Sequence, residues 1–441
     1  MRRYLSYVPS VCYVVAVLSL AGCTRKPALS NEVVRDRLTQ ALAARQPAFE
    51  VENSKRTRRV WDETRRFYTA NGTQLAWSDA RKPRPTVDAL ARALQAADRE
   101  GLQAADYDVA GLDAARQTFD TEHAIAFDVR CTYAYLKYAW DLTHGSIDPE
   151  TVAPQWHAVP RGKDLHGTLK SALDTGSIAA SLDALSPHAP PYQGLKHQLA
   201  LALDRHDAAE VDRIVMNMDR WRWLPDELGS RYLIVNIPAF RLDAIENGKS
   251  VLSMRVITGR EDNPTPVLAD EITSVVFSPY WNIPESIVTK EILPKLENDP
   301  GYLDRNNMET DDSGRHFRQR PGPGNSLGAV KFVFPNHFNV YLHGTPSASL
   351  FKRVERDFSH GCVRLERPAD LAKYVLRDQP EWTEERIVAA MNAGTERGVK
   401  LTTPLPIYLV YFTTWEEGGA LRTVRDVYGL DKRHAAVSEG A

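Results

Sequence analysis

The segments Asn339-Val340-Tyr341-Leu342-His343-Gly344-Thr345 and Ser359-His360-Gly361-Cys362-Val363-Arg364 form the most informative pattern in this chain. The apolar and β-branched residues before His343 predict a strand, so the histidine lies at the end of a rigid element. Gly361 has no side chain and lets the backbone approach a substrate carbonyl closely. A cysteine near a histidine is the arrangement of a nucleophile with its base, and this pairing is expected to lower the pKa of the Cys362 thiol.

Two other kinds of site are weighed against this one. A metal site would use the histidines and the cysteine of this region, but they lack the paired CxxC or HxxxH spacing, so neither a metal nor another cofactor is predicted. A serine hydrolase would carry a GxSxG elbow between a strand and a helix. Gly324-Asn325-Ser326-Leu327-Gly328 has this spacing, but a Pro-Gly run precedes it and the predicted strand Val330–Phe334 follows it, so it is not such an elbow. For His360, a structural role in holding the turn by hydrogen bonds is favoured over a second base.

The two halves of the chain differ in their periodicity. Up to about residue 212 the apolar residues recur at helical spacing, and one helix is expected to end at Gly145. From Met218 onward, short β-branched or aromatic runs bounded by turn residues predict a sheet sandwich. These runs are Arg231–Asn236, Val251–Ile257, Ser274–Phe277, Val330–Phe334, Val340–Leu342 and Ile407–Phe412.

The predicted fold class is therefore α+β, with an all-helical scaffold domain over 23–212 and a β-rich catalytic domain over 213–430. Within the second domain, the connection over 285–328 is predicted to be functional, because a loop this long inside a compact domain usually is. A disordered surface insertion is the alternative. Residues 431–441 are predicted to be a disordered tail.

The N-terminus predicts export. Two arginines precede the apolar stretch from Val11 to Leu20, which is too short to span a bilayer and suits a secretory signal over 1–22. Leu20-Ala21-Gly22-Cys23 resembles the lipobox of bacterial lipoproteins, which implies lipidation of Cys23; simple cleavage of the signal is the alternative. Acyl chains on this cysteine would anchor the protein stably to a membrane. Because Thr24 is not the Asp that commonly retains lipoproteins in the inner membrane, the periplasmic side of the outer membrane is expected if the cell has two membranes.

Composition narrows the possible partners. The 441 residues are 43% hydrophobic and 25% charged, as in an ordinary globular protein, and are enough for roughly two or three domains. The net charge of -2 argues against nucleic acid as a partner. Cys131 lies among apolar and aromatic residues at helical spacing and is predicted to be a buried thiol, since a disulfide with Cys362 would consume the nucleophile.

The motifs resemble those of the L,D-transpeptidases, the YkuD-type enzymes that crosslink bacterial peptidoglycan, in their long periplasmic, YcbB-like subgroup. The resemblance covers roughly 213 to 430 and implies a YkuD-type sandwich with a cap over the active site. Besides the two opening segments, it is carried by Asn217-Met218-Asp219-Arg220-Trp221-Arg222-Trp223-Leu224-Pro225, Gly324-Asn325-Ser326-Leu327-Gly328 and Lys331-Phe332-Val333-Phe334-Pro335-Asn336.

This resemblance implies roles for the site residues. Cys362 would attack the donor stem peptide, His343 would take and return the proton, and the Gly344 carbonyl would orient the imidazole. Backbone N–H groups around Gly361 and Cys362 would form the oxyanion hole. Arg364 would hold a stem carboxylate, with a structural ion pair as an equal alternative.

The remaining implications concern the pocket, the partners and the reaction. Tyr341, Ser359 and His360 are expected to line the pocket, carbapenems to inhibit, and the protein to act as a monomer without a cofactor. Formation of 3→3 crosslinks between stem peptides is the predicted reaction. A hydrolase or D-amino-acid exchange enzyme using the same acyl-enzyme is the alternative, and a non-catalytic wall-binding lipoprotein is disfavoured by the intact Cys362 and His343.

Overall fold

The computed structural model describes residues 29–154, 156, 162–311 and 313–440. The predicted signal over 1–22 and the predicted lipidation site at Cys23 lie outside these residues. Among the helices within these ranges, none combines the length and the apolar composition needed to cross a membrane.

The first part of the described chain is helical. Its central helix α5 is buried along most of its length because neighbouring helices surround it. This helix ends at Gly145, as predicted. Cys131 lies within it and is buried, which confirms the prediction for this thiol. The helices are α1 (Asn31–Leu42), α2 (Lys55–Ala70), α3 (Thr86–Gln95), α4 (Val109–Gln117), α5 (Ala124–His144), α6 (Pro149–Val152), α7 (Leu165–Thr175), α8 (Ile178–Asp183), α9 (Pro190–Asp204) and α10 (Ala208–Arg222).

Two buried aspartates tie α5 to its neighbours. The carboxylate of Asp128 accepts hydrogen bonds from the backbone N–H groups of Ala76 and Trp77. Asp141 forms an ion pair with Arg56 of α2. A buried charge is tolerated only when it is paired in this way, so these contacts fix how the helices are arranged around α5.

The second part is β-rich, which confirms the predicted fold class. Its strands are β1 (Arg231–Asn236), β2 (Arg241–Glu246), β3 (Lys249–Gly259), β4 (Leu268–Phe277), β5 (Trp281–Asn282), β6 (Met308–Thr310), β7 (Phe317–Gln319), β8 (Val330–Val333), β9 (Leu342–His343), β10 (Asp357–Ser359), β11 (Val363–Leu365), β12 (Arg397–Val410), β13 (Thr414–Glu417) and β14 (Ala420–Thr423). The helices of this part are α11 (Glu285–Ile287), α12 (Leu293–Asn298), α13 (Tyr302–Arg305), α14 (Pro368–Val375), α15 (Glu384–Met391) and α16 (Leu430–Gly440).

The main sheet curls around one core. Its strand order is β10-β3-β11-β9-β8-β4-β12-β1-β2, and β2 also pairs with β3, so the pairings close into a circuit. Alternate residues of β12 face opposite sides, as in any strand. Ile407 and Leu409 enter the core inside the circuit, whereas Tyr408 and Val410 pack against α9 and α10 on the outside.

That outer contact joins the helical and β-rich parts. The Trp221 ring of α10 stacks on Phe412, with 4.7 Å between the ring centroids. The boundary predicted at residue 212 lies inside α10, because the periodicity of the sequence changes before the helix ends. The end of the scaffold is therefore packed against the sheet.

The segment 285–328 folds into a small unit, which we call the cap. Helices α11 to α13 and strands β6 and β7 enclose a separate apolar core that includes Val288, Ile292 and Phe317. Strand β7 pairs with β5, which connects the cap to the main domain. The described residues of this segment are ordered, so the alternative of a disordered insertion is wrong for them.

The predicted disordered tail is wrong for residues 431–440, which form most of helix α16. Polar contacts hold the helix in place: Asp431 lies 2.7 Å from the fully buried guanidinium of Arg220. His434 is buried beside Trp223, with 5.8 Å between the ring centroids. A segment of low hydrophobicity is ordered here because it supplies the carboxylate partner of a buried cation.

Candidate active site

The pairing of β9 with β11 assembles the candidate site. The two strands run parallel, and His343 lies beside Arg364. On the other side of β9, antiparallel β8 places Lys331 beside His343. Paired residues point to the same face of a sheet and alternate residues return to it. One face therefore collects the side chains of Lys331, Tyr341, His343, Cys362 and Arg364.

His343 is held as a neutral base. Its side chain is buried, and Nδ1 lies 2.5 Å from the Gly344 carbonyl oxygen, the contact that the resemblance implied. Because a carbonyl only accepts hydrogen bonds, Nδ1 carries the proton and Nε2 keeps its lone pair. Burial, together with the positive charges of Arg364 and Lys331, lowers the pKa of His343 to about 3. The imidazole is therefore uncharged at neutral pH.

Cys362 is a neutral thiol in this arrangement. Burial raises the pKa of the Cys362 thiol, although hydrogen bonds from Tyr341 and the charge of Lys331 act in the opposite direction. Sγ lies 3.8 Å from the Asn339 carbonyl oxygen, toward which the thiol donates. The expectation that pairing with His343 lowers this pKa is wrong, because the described residues contain no Cys362–His343 hydrogen bond and the loss of water dominates.

The turn before Cys362 is fixed by hydroxyl groups. Gly361 has a φ of 107°, a backbone conformation that favours glycine. The Ser359 hydroxyl donates to the Cys362 carbonyl at 2.5 Å and accepts from the Gly361 N–H at 3.2 Å. The Gly361 carbonyl accepts from the buried Thr265 hydroxyl at 2.8 Å. These bonds hold the backbone that carries the thiol.

This turn changes the predicted oxyanion hole. The N–H of Gly361 is already bonded to Ser359, so it is not free to bind an oxyanion in this state. The N–H of Cys362 makes no hydrogen bond to any other described residue. Of the two predicted donors, only Cys362 is therefore available, because Ser359 satisfies the other.

Arg364 and Lys331 are cations without a carboxylate partner. Neither forms an ion pair within the described ranges, and Arg364 Nε is buried with no hydrogen-bond partner. The structural ion pair considered for Arg364 is thus not formed. The Lys331 ammonium lies 3.8 Å from the centroid of the Tyr341 ring. A face with two unpaired cations attracts anionic groups.

Lys331 shows what sequence reasoning missed. It was recognised only as part of a flanking motif, although its charge acts on both Cys362 and His343. The local sequence does not predict this effect of Lys331, because it arises from the register between β8 and β9.

Asn325 was missed in the same way. Its buried side chain donates to the carbonyl of Pro279 and accepts from the N–H of Leu327, which shapes the loop that reaches Gly328. At Gly328, a β-carbon would lie 2.6 Å from the Thr345 nitrogen, directly beside Gly344. The glycines of the Gly324–Gly328 motif are the sequence signal for this close backbone approach. The sequence alone does not show which segment the loop approaches.

His360 connects the nucleophile turn with the cap. Its Nε2 lies 2.9 Å from a carboxylate oxygen of Glu291 and 3.3 Å from Nη2 of Arg260. Glu291 lies within a π-helical turn, Val288–Ile292. Such turns are frequent at functional sites. The structural role predicted for His360 stays a prediction, and these contacts give it a specific form.

Among the described residues, no three His, Cys, Asp or Glu side chains lie close enough together to share a metal ion. The two described cysteines, Cys131 and Cys362, are both free thiols. The site face thus offers a nucleophile, a neutral base and two unpaired cations.

The raised pKa of Cys362 gives a pH prediction. We expect the rate of Cys362 alkylation by iodoacetamide to keep rising as pH passes 9.0, the usual thiol value, because burial disfavours the thiolate. No acid limb is expected near 6.5, because burial keeps His343 neutral there. The measurement is the alkylation rate across the pH range in Cys131→Ala protein, where Cys362 alone reports. A plateau at neutral pH would instead indicate a thiolate–imidazolium pair.

Comparison with known proteins finds a domain match in each part of the chain. Residues 62–199 match the Scaffold domain, and residues 230–396 match the YkuD L,D-transpeptidase catalytic domain. A provisionally assigned L,D-transpeptidase from Haemophilus influenzae is 29% identical over 282 residues, which cover 60% of this chain. The match spans 57% of that relative's length.

Solved structures also show similarity over part of the chain. An L,D-transpeptidase from Mycobacterium smegmatis is 15% identical, with 41% of this chain and 58% of that chain covered and a TM-score of 0.24. L,D-transpeptidase 3 from Mycobacterium tuberculosis is 16% identical, with 41% and 60% covered and a TM-score of 0.23. From the two domain matches, the chain combines an N-terminal scaffold domain with a YkuD-type L,D-transpeptidase catalytic domain.

Proposed function

We propose that this protein is a peptidoglycan L,D-transpeptidase that forms 3→3 crosslinks through a thioester on Cys362. The observation that carries the proposal is the shared sheet face on which Cys362 and His343 lie beside the unpaired Arg364, within the matched catalytic domain. A nucleophile, a base and an anion-binding group are the parts that acyl transfer between peptide stems requires.

In the first half-reaction, Cys362 Sγ attacks the carbonyl carbon between the L- and D-centre residues of a donor tetrapeptide. The thiol proton passes to Nε2 of His343, while Gly344 holds the proton on Nδ1. The carbon–nitrogen bond then breaks, and the departing D-alanine amine takes the proton from Nε2. The Cys362 N–H is the backbone donor available to the tetrahedral oxyanion.

In the second half-reaction, the side-chain amine of a neighbouring stem attacks the thioester. His343 accepts a proton from this amine and returns it to the sulfur as the carbon–sulfur bond breaks. The product is a new amide and the free thiol. Arg364 supports this proposal because its unpaired guanidinium can bind a stem carboxylate through two parallel hydrogen bonds.

The nucleophile is tested with purified protein and muropeptides, whose products are resolved by mass. Cys362→Ala should lower both transfer and hydrolysis by roughly a thousandfold or more, since no other group can form the thioester. Cys131→Ala is the matched control and should retain activity, because that thiol is buried in α5. A carbapenem should acylate the wild type at Cys362 only. Crosslinked product from folded Cys362→Ala protein would end the thioester proposal.

The cap is proposed to choose between crosslinking and hydrolysis. Glu291 joins it to His360, two residues from the nucleophile, so closure of the cap over the thioester would exclude water and favour the amine acceptor. We expect Glu291→Gln to raise the ratio of hydrolysed tetrapeptide to crosslinked dimer by about threefold, as the loss of a partly exposed ion pair permits. Glu297→Gln, an exposed change on the same cap, is the control. An unchanged ratio in the Glu291 variant would place acceptor choice elsewhere.

The lipobox supports a further proposal, that Cys23 is lipidated and anchors the protein on the periplasmic side of the outer membrane. Wild-type protein should then incorporate a labelled fatty acid and fractionate with membranes, whereas Cys23→Ser should do neither. If the wild-type protein incorporates no labelled fatty acid, the lipid anchor is refuted and simple secretion of the cleaved protein is the better explanation.

A further inference from the structure

A cavity of about 500 Å³ lies in the helical part, away from the cysteine site. It is lined by α2, by the end of α5 with the following segment to Glu150, and by the end of α10 at Arg222 and Trp223. None of the catalytic face contributes to it. Its size is in the range of cavities that hold small molecules or one unit of a polymer.

One wall of the cavity is aromatic. The Trp140 and His144 rings stack almost in parallel, with 3.8 Å between centroids and 5° between planes. Both side chains are only half-buried, so this flat pair borders the cavity and is not enclosed in the core. Flat aromatic surfaces at the edge of a cavity bind the apolar C–H face of a ring, with polar groups of the ligand at its rim.

The buried end of the cavity is closed by Trp223. The Trp223 side chain is 2% exposed, and its indole Nε1 has no hydrogen-bond partner among the described residues. A β-carbon at Gly145, another lining residue, would lie 2.4 Å from this nitrogen. A side chain at Gly145 would strike the indole, so this position requires glycine. The nitrogen itself is enclosed, and a ligand in the cavity does not reach its N–H.

Among the described residues, one arginine along the cavity has no partner. Arg59 of α2 is exposed and has no ion pair or hydrogen bond within the described ranges. The other arginine and lysine side chains along the cavity are paired with carboxylates: Arg56 with Asp141, Arg66 with Glu63, Lys55 with Asp148 and Arg222 with Asp219. The cavity thus suits a ligand with isolated carboxylates, and its many acidic groups disfavour a polyphosphate chain.

We propose that this cavity binds stem-free stretches of the peptidoglycan glycan strand, an amino-sugar polymer that carries acetamide groups and, where no stem peptide is attached, free carboxylates. The C–H face of a sugar packs on the Trp140–His144 pair, and a carboxylate pairs with Arg59. This proposal rests on the proposed function for the choice of polymer. In this proposal the helical part binds the glycan of the wall, and the sheet face that carries Cys362 binds the stem peptides.

The test is calorimetric titration of the full chain with soluble, peptide-free glycan chains. Trp140→Ala should weaken binding by about tenfold, and Arg59→Ala by about fivefold, as expected for an aromatic and an arginine anchor. Arg58→Ala is the matched control, because the neighbouring Arg58 bonds to Asn53 and does not line the cavity. With chitotetraose, which lacks carboxylates, the loss from Arg59→Ala should be less than about twofold.

Saturable binding that both cavity variants weaken, with Arg58→Ala unchanged, supports the proposal. Absence of saturable binding by the wild type overturns it, as does binding that neither variant alters. Arg59→Glu keeps the test decisive where Trp140→Ala fails to fold, because Arg59 is exposed and its reversal of charge should abolish the preference for carboxylate-bearing chains.

Transfer between soluble stem peptides without sugars is measured in parallel. Loss of glycan binding with peptide transfer intact refutes the cavity proposal alone. Glycan binding without any peptide transfer refutes the proposed reaction and leaves the cavity assignment standing.

Discussion

The parallel pairing of β9 with β11 is the constraint on which the candidate site depends. It brings together two segments that are separated by the loop containing Phe351, and it sets His343 beside Arg364. A shift of one residue would turn Cys362 away from the face that carries His343, since successive side chains point to opposite sides. The hydrogen bonds of Ser359 and Thr265 hold the nucleophile turn at this register. Much of the surrounding sheet serves to keep two short strands in one alignment.

Local pattern was enough to predict the larger elements. Arg231–Asn236 forms a strand with the predicted bounds, and α5 ends at Gly145, because alternation and a terminating glycine are local signals. The predicted strand Val340–Leu342 is observed only at Leu342–His343. The ends of a two-residue strand are determined by the strands that pair with it. Its own sequence therefore does not predict where it begins and ends. Helix α16 was missed for a related reason: Arg220, the cation that Asp431 pairs with, is distant in the chain.

The sequence predicted which residue types form the site, but not their protonation states. His343 and Cys362 were found from the motif, and the Gly344 carbonyl was implied by the family resemblance. The structure brings His343 and Cys362 to one face. The protonation states were not predictable, because they depend on burial and on Lys331 and Arg364, which only the folded sheet places nearby. Sequence reasoning therefore assumed a low thiol pKa, whereas the loss of water around Cys362 raises it.

The unpaired cations suggest how substrate binding and base strength are coupled. Arg364 is the largest charge effect that holds down the pKa of His343, second only to burial. A carboxylate bound to Arg364 would cancel much of this positive field and raise the pKa of the imidazole toward the value that suits a general base. The resting site would then hold a weak base, and the base would strengthen as an anionic stem occupies the face. If Cys362 carries the thioester proposed above, this order of events would protect that thioester, because the proton acceptor would become effective only when an anionic peptide occupies the face.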